Sequence, residues 1–307
     1  MYNRRKFLQQ SGTAAFATMM LSNKSLASLF ANEHAIGIQL FTFFNTMDND
    51  VQGTLKKIAD IGYKEIESAF NKQSGYYGMK PKEFASYLNS IGLTWVSHHV
   101  LGAPFKLPPG TKLPAGADGK PMTIPPMRNL KENMQELVDE AAEGGVEFLV
   151  CANIPITTMD EIKSSIDILN KTGEACKKAG ISFAYHNHDA EFKEVEGQKP
   201  YDMFLKQTDP QLVKMELDIA WAIKGGTDVI TLFENNQGRF PLWHVKDLDS
   251  SYENIVPVGS GAIDYKKIFA SGNTAGMKHF FIEHDFPKDA FASVTESYNY
   301  LHNVLKV

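Results

Sequence analysis

At 307 residues with 43% apolar side chains, the chain can bury one large core and is long enough to be a single α/β barrel. Its formal net charge of −5 is spread over mixed signs with no basic patch, which excludes an obvious footprint for nucleic acid. Two cysteines, Cys151 and Cys176, are too few for a disulfide framework and read as free thiols.

In chain order, the first segment reads as an address rather than as structure. Arg4 and Arg5 precede Phe7 and Leu8, a weakly apolar stretch runs from Gly12 to Leu21, and small residues follow at Ala27 and Ala31. This pattern resembles a twin-arginine export signal. Residues 1–31 are therefore expected to be a signal peptide, and residues 35–307 a barrel delivered to the periplasm. No later run approaches the ~20 apolar residues of a membrane span, so no stable membrane insertion is expected after signal removal.

Short apolar runs then recur, most entered from Gly or Pro and most followed by helical periodicity. Strands are predicted at 35–41, 64–68, 93–98, 146–151, 181–186, 213–218, 242–247 and 279–284. Segments such as VQGTLKKIADIG, KPKEFASYLNSIG and TMDEIKSSIDILNKTGEACKKAG separate them, and Gly62, Gly92, Gly145 and Gly180 fall where left-handed helix caps belong. Eight strand–helix units without a Gly-rich phosphate turn predict a single (β/α)8 TIM barrel rather than an open doubly wound sheet. One connection departs from the rhythm. Residues 100–128, rich in Pro and Gly, are expected to form a lid over the active face or part of a subunit contact, which leaves an oligomer open.

In such a barrel chemistry sits at the C-terminal strand ends, and side chains alternate inward and outward. On strand five His186 shares a face with Ala184 and His188. Asp218 shares one with Glu216 on strand six, and His244 with Lys246 on strand seven. On strand eight Glu283 shares one with Phe281 and Asp285. Any one strand-end His or Asp is more often a hydrogen-bonded structural group, but four on consecutive strands shift the balance. Charges pointing to the axis are costly unless paired or bound to metal. His186, Asp218, His244 and Glu283 together make a two-nitrogen, two-oxygen set suited to one Mn²⁺, Co²⁺, Fe²⁺ or Zn²⁺ ion.

The segments AYHNHDAEF (184–192), MELDIAWAIKGG (215–226), LWHVKD (242–247) with VGSGAIDYKKIF (258–269), and FFIEHD (280–285) resemble the sugar phosphate isomerase/epimerase family of xylose isomerase-like barrels. The resemblance covers nearly all of the chain after residue 34. It implies one divalent metal held at the strand ends and a proton moved, or water eliminated, next to a sugar carbonyl. Asp218, His244 and Glu283 match three of the usual ligands. Epimerase-type members carry a glutamate at the end of strand five, where this chain has His186, and that departure argues against a two-glutamate mechanism.

Each candidate then has an expected role. His186 is the fourth ligand, His188 the base or a substrate contact, and Glu283 both ligand and catalytic group. Lys246 stabilises a developing enolate. Glu67, His98, Glu216 and Trp221 contact substrate, and Phe43 is a further stacking candidate. Of the adjacent pair His98 and His99 only one can face inward. Asn187 points away, while Asp189 and Glu191 orient the histidines.

The expected function is a divalent-metal-dependent isomerase or epimerase of a small carbohydrate. Export and the lack of an Arg cluster point to a non-phosphorylated substrate. The alternative is a lyase or dehydratase eliminating from a 3-keto-glycoside or keto-inositol. A further alternative is a non-catalytic sugar-binding barrel.

Overall fold

The computed structural model describes residues 34–47, 50–73, 75–104 and 127–307. The expected signal segment and most of the expected lid therefore lie outside the described residues.

Ten strands follow one another among the described residues: β1 (Ile36–Gln39), β2 (Glu65–Ser68), β3 (Thr94–Leu101), β4 (Phe148–Asn153), β5 (Ser182–His186), β6 (Val213–Asp218), β7 (Leu242–Val245), β8 (Asp247–Leu248), β9 (Ile255–Val256) and β10 (His279–Ile282). Eight of them close a parallel barrel in the order β1-β10-β7-β6-β5-β4-β3-β2, and β8 and β9 form a separate antiparallel pair. All eight predicted barrel strands are present. The helices between them start and stop where local chemistry says they should. Met159–Ala179, for example, is capped by the Thr158 side chain, has Asp160 and Glu161 in its first turn and Lys177 and Lys178 in its last, and ends on left-handed Gly180. It turns Ile162, Ile166, Leu169 and Cys176 onto the barrel wall. Both cysteines are buried and free, and no helix of the described residues is long and apolar enough to cross a membrane.

Inside the barrel, a small apolar layer of Val96, Phe148, Val150, Ala184, Leu242 and Phe281 separates two polar ends. Burying each large member of such a layer contributes roughly 1.5–3 kcal/mol. Gly37 on β1 makes room for one of them, because a Cβ there would stand 2.5 Å from the Phe281 ring. Two residues beyond Ala184, Leu242 and Phe281 on the same faces come His186, His244 and Glu283, so alternation alone lifts these three above the apolar layer.

One register irregularity redirects a histidine. Ile66 pairs with Trp95 but Glu67 with Ser97, so Val96 is an extra residue opposite β2. A bulge of this kind reverses the parity of the residues beyond it. Val96 lies in the barrel interior, and so do Ser97 and His99, which meet Glu67. His98 is turned out to Ser68 Oγ, 2.8 Å from its Nδ1, beneath the rings of Tyr76 and Trp95. His98, expected to contact substrate, thus lies outside the barrel interior, and His99 takes the inward place.

Candidate metal centre

The polar end of the interior is built in two tiers. In the lower tier Glu67 is fully buried. It accepts from Gln39 Nε2 at 2.8 Å and from Ser97 Oγ, its Oε1 stands 2.5 Å from His244 Nε2, and His99 Nε2 lies 3.1 Å away. Glu216, also fully buried, has its Oε2 2.6 Å from His99 Nε2, 3.1 Å from His186 Nδ1 and 3.3 Å from His244 Nε2. Burial alone raises a carboxyl, yet the imidazoles of His99 and His244 hold Glu67 well below the usual carboxylate range. Burial and the Glu67 charge push Glu216 up to about 7. Burial alone would lower His99, but Glu67 and Glu216 raise it to about 9. These groups are neutralised by one another. Glu67 and Glu216, expected to contact substrate, do not line the open cavity, whereas His99 and His186, whose rings pack with that of His244, do.

The upper tier is different in kind. Asp218 is fully buried and divides its work, with Oδ1 accepting from Trp221 N at 2.9 Å to cap the helix Ile219–Lys224. Its Oδ2 has Lys246 Nζ at 3.0 Å and His244 Nδ1 at 3.9 Å but no aligned hydrogen bond. His244 Nδ1 lies 2.7 Å from Glu283 Oε2 and likewise makes no aligned hydrogen bond. Lys246 Nζ stands 2.9 Å from Glu283 Oε2 and 2.9 Å from Asp285 Oδ2, which makes it a buried cation among three carboxylates. Burial lowers a lysine, but here Asp218, Asp285 and Glu283 together raise it well above its ordinary value.

Asp218, His244 and Glu283 each offer a ligand atom within 4.8 Å of the others, and this buried set could hold a metal ion. The fit rests on the orphaned atoms. Two buried polar atoms left without hydrogen bonds are expensive in a closed interior, and a point cation satisfies converging lone pairs whatever their mutual angles. His186 does not join this set. It falls in a second buried group, with His99, Glu216 and His244, which shares His244 with the first and could likewise hold an ion.

The remaining expected residues fall around a cavity of about 620 Å³ that opens above the upper tier. His188 and Trp221 line it, with ring centroids 6.4 Å apart, and the Trp221 Nε1 is buried without a partner. Burial and the Lys246 charge lower His188 to about 4. Its backbone N–H donates to Glu191 Oε2 at 3.0 Å, while Tyr185 donates to Glu191 Oε1 at 2.6 Å, so Glu191 fixes the segment that carries the imidazole. Asn187 bonds both ways to the backbone of Asp218, at 3.2 and 3.1 Å, and ties the end of β5 to the end of β6. Asp189 pairs with Lys193 at 2.6 Å, away from the rings.

Sequence reasoning missed Gln39, Ser97, Asp285 and the phenylalanines at the mouth. Asp285 alone carried a signal, its parity with Glu283. Phe43 is not at the mouth but packs fully buried against Phe291, because a 3-10 turn over Leu40–Phe43 ends the alternation of β1.

Comparison with known proteins agrees with this fold. The model of the xylose isomerase-like TIM barrel family matches residues 55–300. Inosose dehydratase of Geobacillus thermodenitrificans strain NG80-2 is 24% identical over 158 residues, 46% of this chain and 52% of that protein. The chain thus spans about half the length of the curated relatives it matches. The crystal structure of a sugar phosphate isomerase/epimerase from Parabacteroides distasonis ATCC 8503 superposes with a TM-score of 0.71 at 28% identity, over 89% of this chain and 95% of that one. The IOLI protein with a bound zinc atom superposes with a TM-score of 0.65 at 14% identity, over 88% and 98%, a likeness of fold.

Proposed function

Because the chain belongs to the xylose isomerase-like TIM barrel family, we propose that it is a divalent-metal-dependent enzyme that removes a proton next to the carbonyl of a sugar-like polyol and returns it as an isomerase or epimerase. The observation that carries this reading is the convergence of Asp218 Oδ2, His244 Nδ1 and Glu283 Oε2, two of them without hydrogen bonds, directly below an open cavity. Asp218, His244 and Glu283 would hold the metal, with Mn²⁺, Co²⁺, Fe²⁺ and Zn²⁺ all suited to one nitrogen and two oxygens. The IOLI protein, similar in fold, binds a zinc atom, which supports a divalent ion in this barrel. When bound, such an ion supplies Lewis-acid polarisation of a carbonyl, which makes the neighbouring C–H acidic.

The chain's own residues do the rest. His188, lowered to about 4 by burial and by Lys246, is an unprotonated imidazole at neutral pH and accepts the proton. Lys246, kept charged by its three carboxylates, faces the oxygen on which negative charge develops. Trp221 lines the cavity beside His188 and offers its ring to the substrate, with its indole N–H buried and unpartnered behind it. Among the described residues lining the cavity, Lys246 is the only lysine or arginine, and it is already surrounded by acid groups, which supports a substrate without phosphate.

A second reading has its own support. His186 stands where a second glutamate would serve an epimerase, and the curated relatives are inosose dehydratases, so elimination from the same carbanion-like intermediate is the competing outcome. Solvent deuterium separates them. Label recovered in an epimeric or isomeric sugar supports the first reading; an unsaturated product with released water or aglycone supports the second. No label and no turnover in any keto-sugar tested sinks both and leaves a sugar-binding barrel. Export to the periplasm, proposed from residues 1–31, is checked by fractionating cells that carry Arg4 and Arg5 or their lysine replacements. A cytoplasmic protein in both cases ends that proposal.

A further inference from the structure

The mouth of the cavity carries a feature that proton transfer does not use. Phe41, Phe44, Phe70 and Phe286 line the same cavity as His188, Lys246 and Glu283. They form one group, with the Phe41 centroid 5.6 Å from Phe44, 5.5 Å from Phe70 and 5.1 Å from Phe286, the last edge-on at 72°. Strand direction places them on the solvent side of the ligands. Phe41 is two residues past Gln39, Phe70 three past Glu67, and Phe286 three past Glu283.

Their energetics are wrong for a role in folding alone. None of the four is fully buried, and Phe286 exposes 62% of its surface. Phe286 also has a φ of 49°, a left-handed backbone that a bulky side chain adopts only at a cost. An exposed ring on a strained backbone loses twice in the free chain, and both losses are offset when an apolar group covers it. Ala69, Leu101 and Ala152 add apolar wall to the same cavity, and exposed Asn153 also lines it. A bare sugar needs one ring for its C–H face, and four would leave its hydroxyls against phenyl edges without partners. Among the described residues that line the cavity, Lys246 is the only lysine or arginine a phosphate would find, and Asp218, Glu283 and Asp285 already take up its charge.

We infer that this rim is a second subsite, which takes an apolar, ring-bearing substituent of a sugar whose carbonyl end reaches the Asp218, His244 and Glu283 tier. The substrate class is then an aryl-substituted keto-sugar, such as an aromatic glycoside that carries a ketone on its sugar ring, not a free or phosphorylated sugar. This rests on the sugar reading above, and the test separates the two.

Isothermal titration of the full chain with phenyl β-D-glucopyranoside, methyl β-D-glucopyranoside and phenol supplies the probes. The phenyl glycoside is expected to bind about tenfold more tightly than the methyl one, as stacking on aromatic side chains allows. That gap should close in Phe286→Asn, which removes an exposed ring and tolerates the left-handed backbone, and in Phe41→Ala. Unchanged thermal unfolding of Phe286→Asn guards against a folding artefact. Equal affinity for the two glycosides, or a gap that survives both substitutions, overturns the subsite while leaving sugar binding intact. Phenol binding that is lost in both variants, with no added affinity from either sugar, upholds the subsite and removes the sugar reading. Binding of none of the three probes overturns the subsite.

Discussion

The two ends of the barrel interior hold the same kinds of residue under opposite conditions. At the N-terminal end His279 lies 2.9 Å from Glu65 and 3.2 Å from Glu147, and Lys278 is 2.9 Å from Glu147. These groups face solvent in part, and each charge has an opposite neighbour in hydrogen-bonding geometry. At the C-terminal end the charges are buried and crowded onto one point, with ligand atoms that have no hydrogen bonds. Folding stability alone favours the first arrangement. The second is retained at a cost, and such a cost marks the end where a ligand is held.

The largest expected effect breaks the upper tier. Asp218→Ala and Glu283→Ala should each lower affinity for Mn²⁺ or Zn²⁺ by at least about 100-fold and abolish turnover, since each deletes one of three converging ligands. His186→Ala should lower affinity no more than about tenfold, because its ring belongs to the lower tier with Glu216. Metal content of the purified variants decides the matter, and loss in His186→Ala equal to that in Glu283→Ala would return His186 to the ligand set.

Metal addition should sharpen the contrast in stability. A ligand present at 100 times its dissociation constant stabilises the folded state by about 2.7 kcal/mol. In a domain of this size that is a rise of several degrees in Tm. The rise should vanish in Asp218→Ala and persist in His279→Gln, whose imidazole lies at the other end. Thermal scans with and without Zn²⁺ measure it, and equal rises in both variants would move the metal away from the mouth.

Lys246→Met separates holding the metal from doing chemistry. Removing the cation leaves Asp218 and Glu283 with less competition, so metal affinity should stay or rise, while kcat falls by about 100-fold for want of charge stabilisation. Titration calorimetry beside steady-state kinetics tests this, and a proportionate loss of both would make Lys246 a structural partner of the ligands.

The barrel was legible because its signals are local and repeated: period-two apolar runs, capping side chains and glycines at helix ends. The inward placing of His244 and Glu283 was legible for the same reason, since parity sets them above Leu242 and Phe281. Parity fails where the backbone breaks its own period. The extra residue Val96 in β3 exchanged His98 for His99, and the 3-10 turn after Gln39 put Phe43 in the core and Phe41 at the mouth. Neither leaves a mark in the sequence, because a bulge needs no special residue and a turn of this kind carries no Gly or Pro. Depth was illegible as well. Glu67 and Glu216 look like rim carboxylates, yet both are fully buried and do not line the open cavity.

The smallest effect belongs to the N-terminal end and has a definite pH sign. Burial by itself lowers His279, but its bonds to Glu65 and Glu147 outweigh that and raise it above its ordinary value. A raised folded-state value means that the contribution to stability is fully present below the unfolded value of about 6.5 and is lost as pH climbs through the folded one. Partly exposed pairs of this kind contribute about 1 kcal/mol or less. His279→Gln should therefore lower Tm by a few degrees at pH 6 and by almost nothing at pH 9, with metal content unchanged at both. A deficit that grows with pH would mean that the imidazole works there as a neutral packing group, and the contrast between a satisfied end and an unsatisfied one would lose its first half.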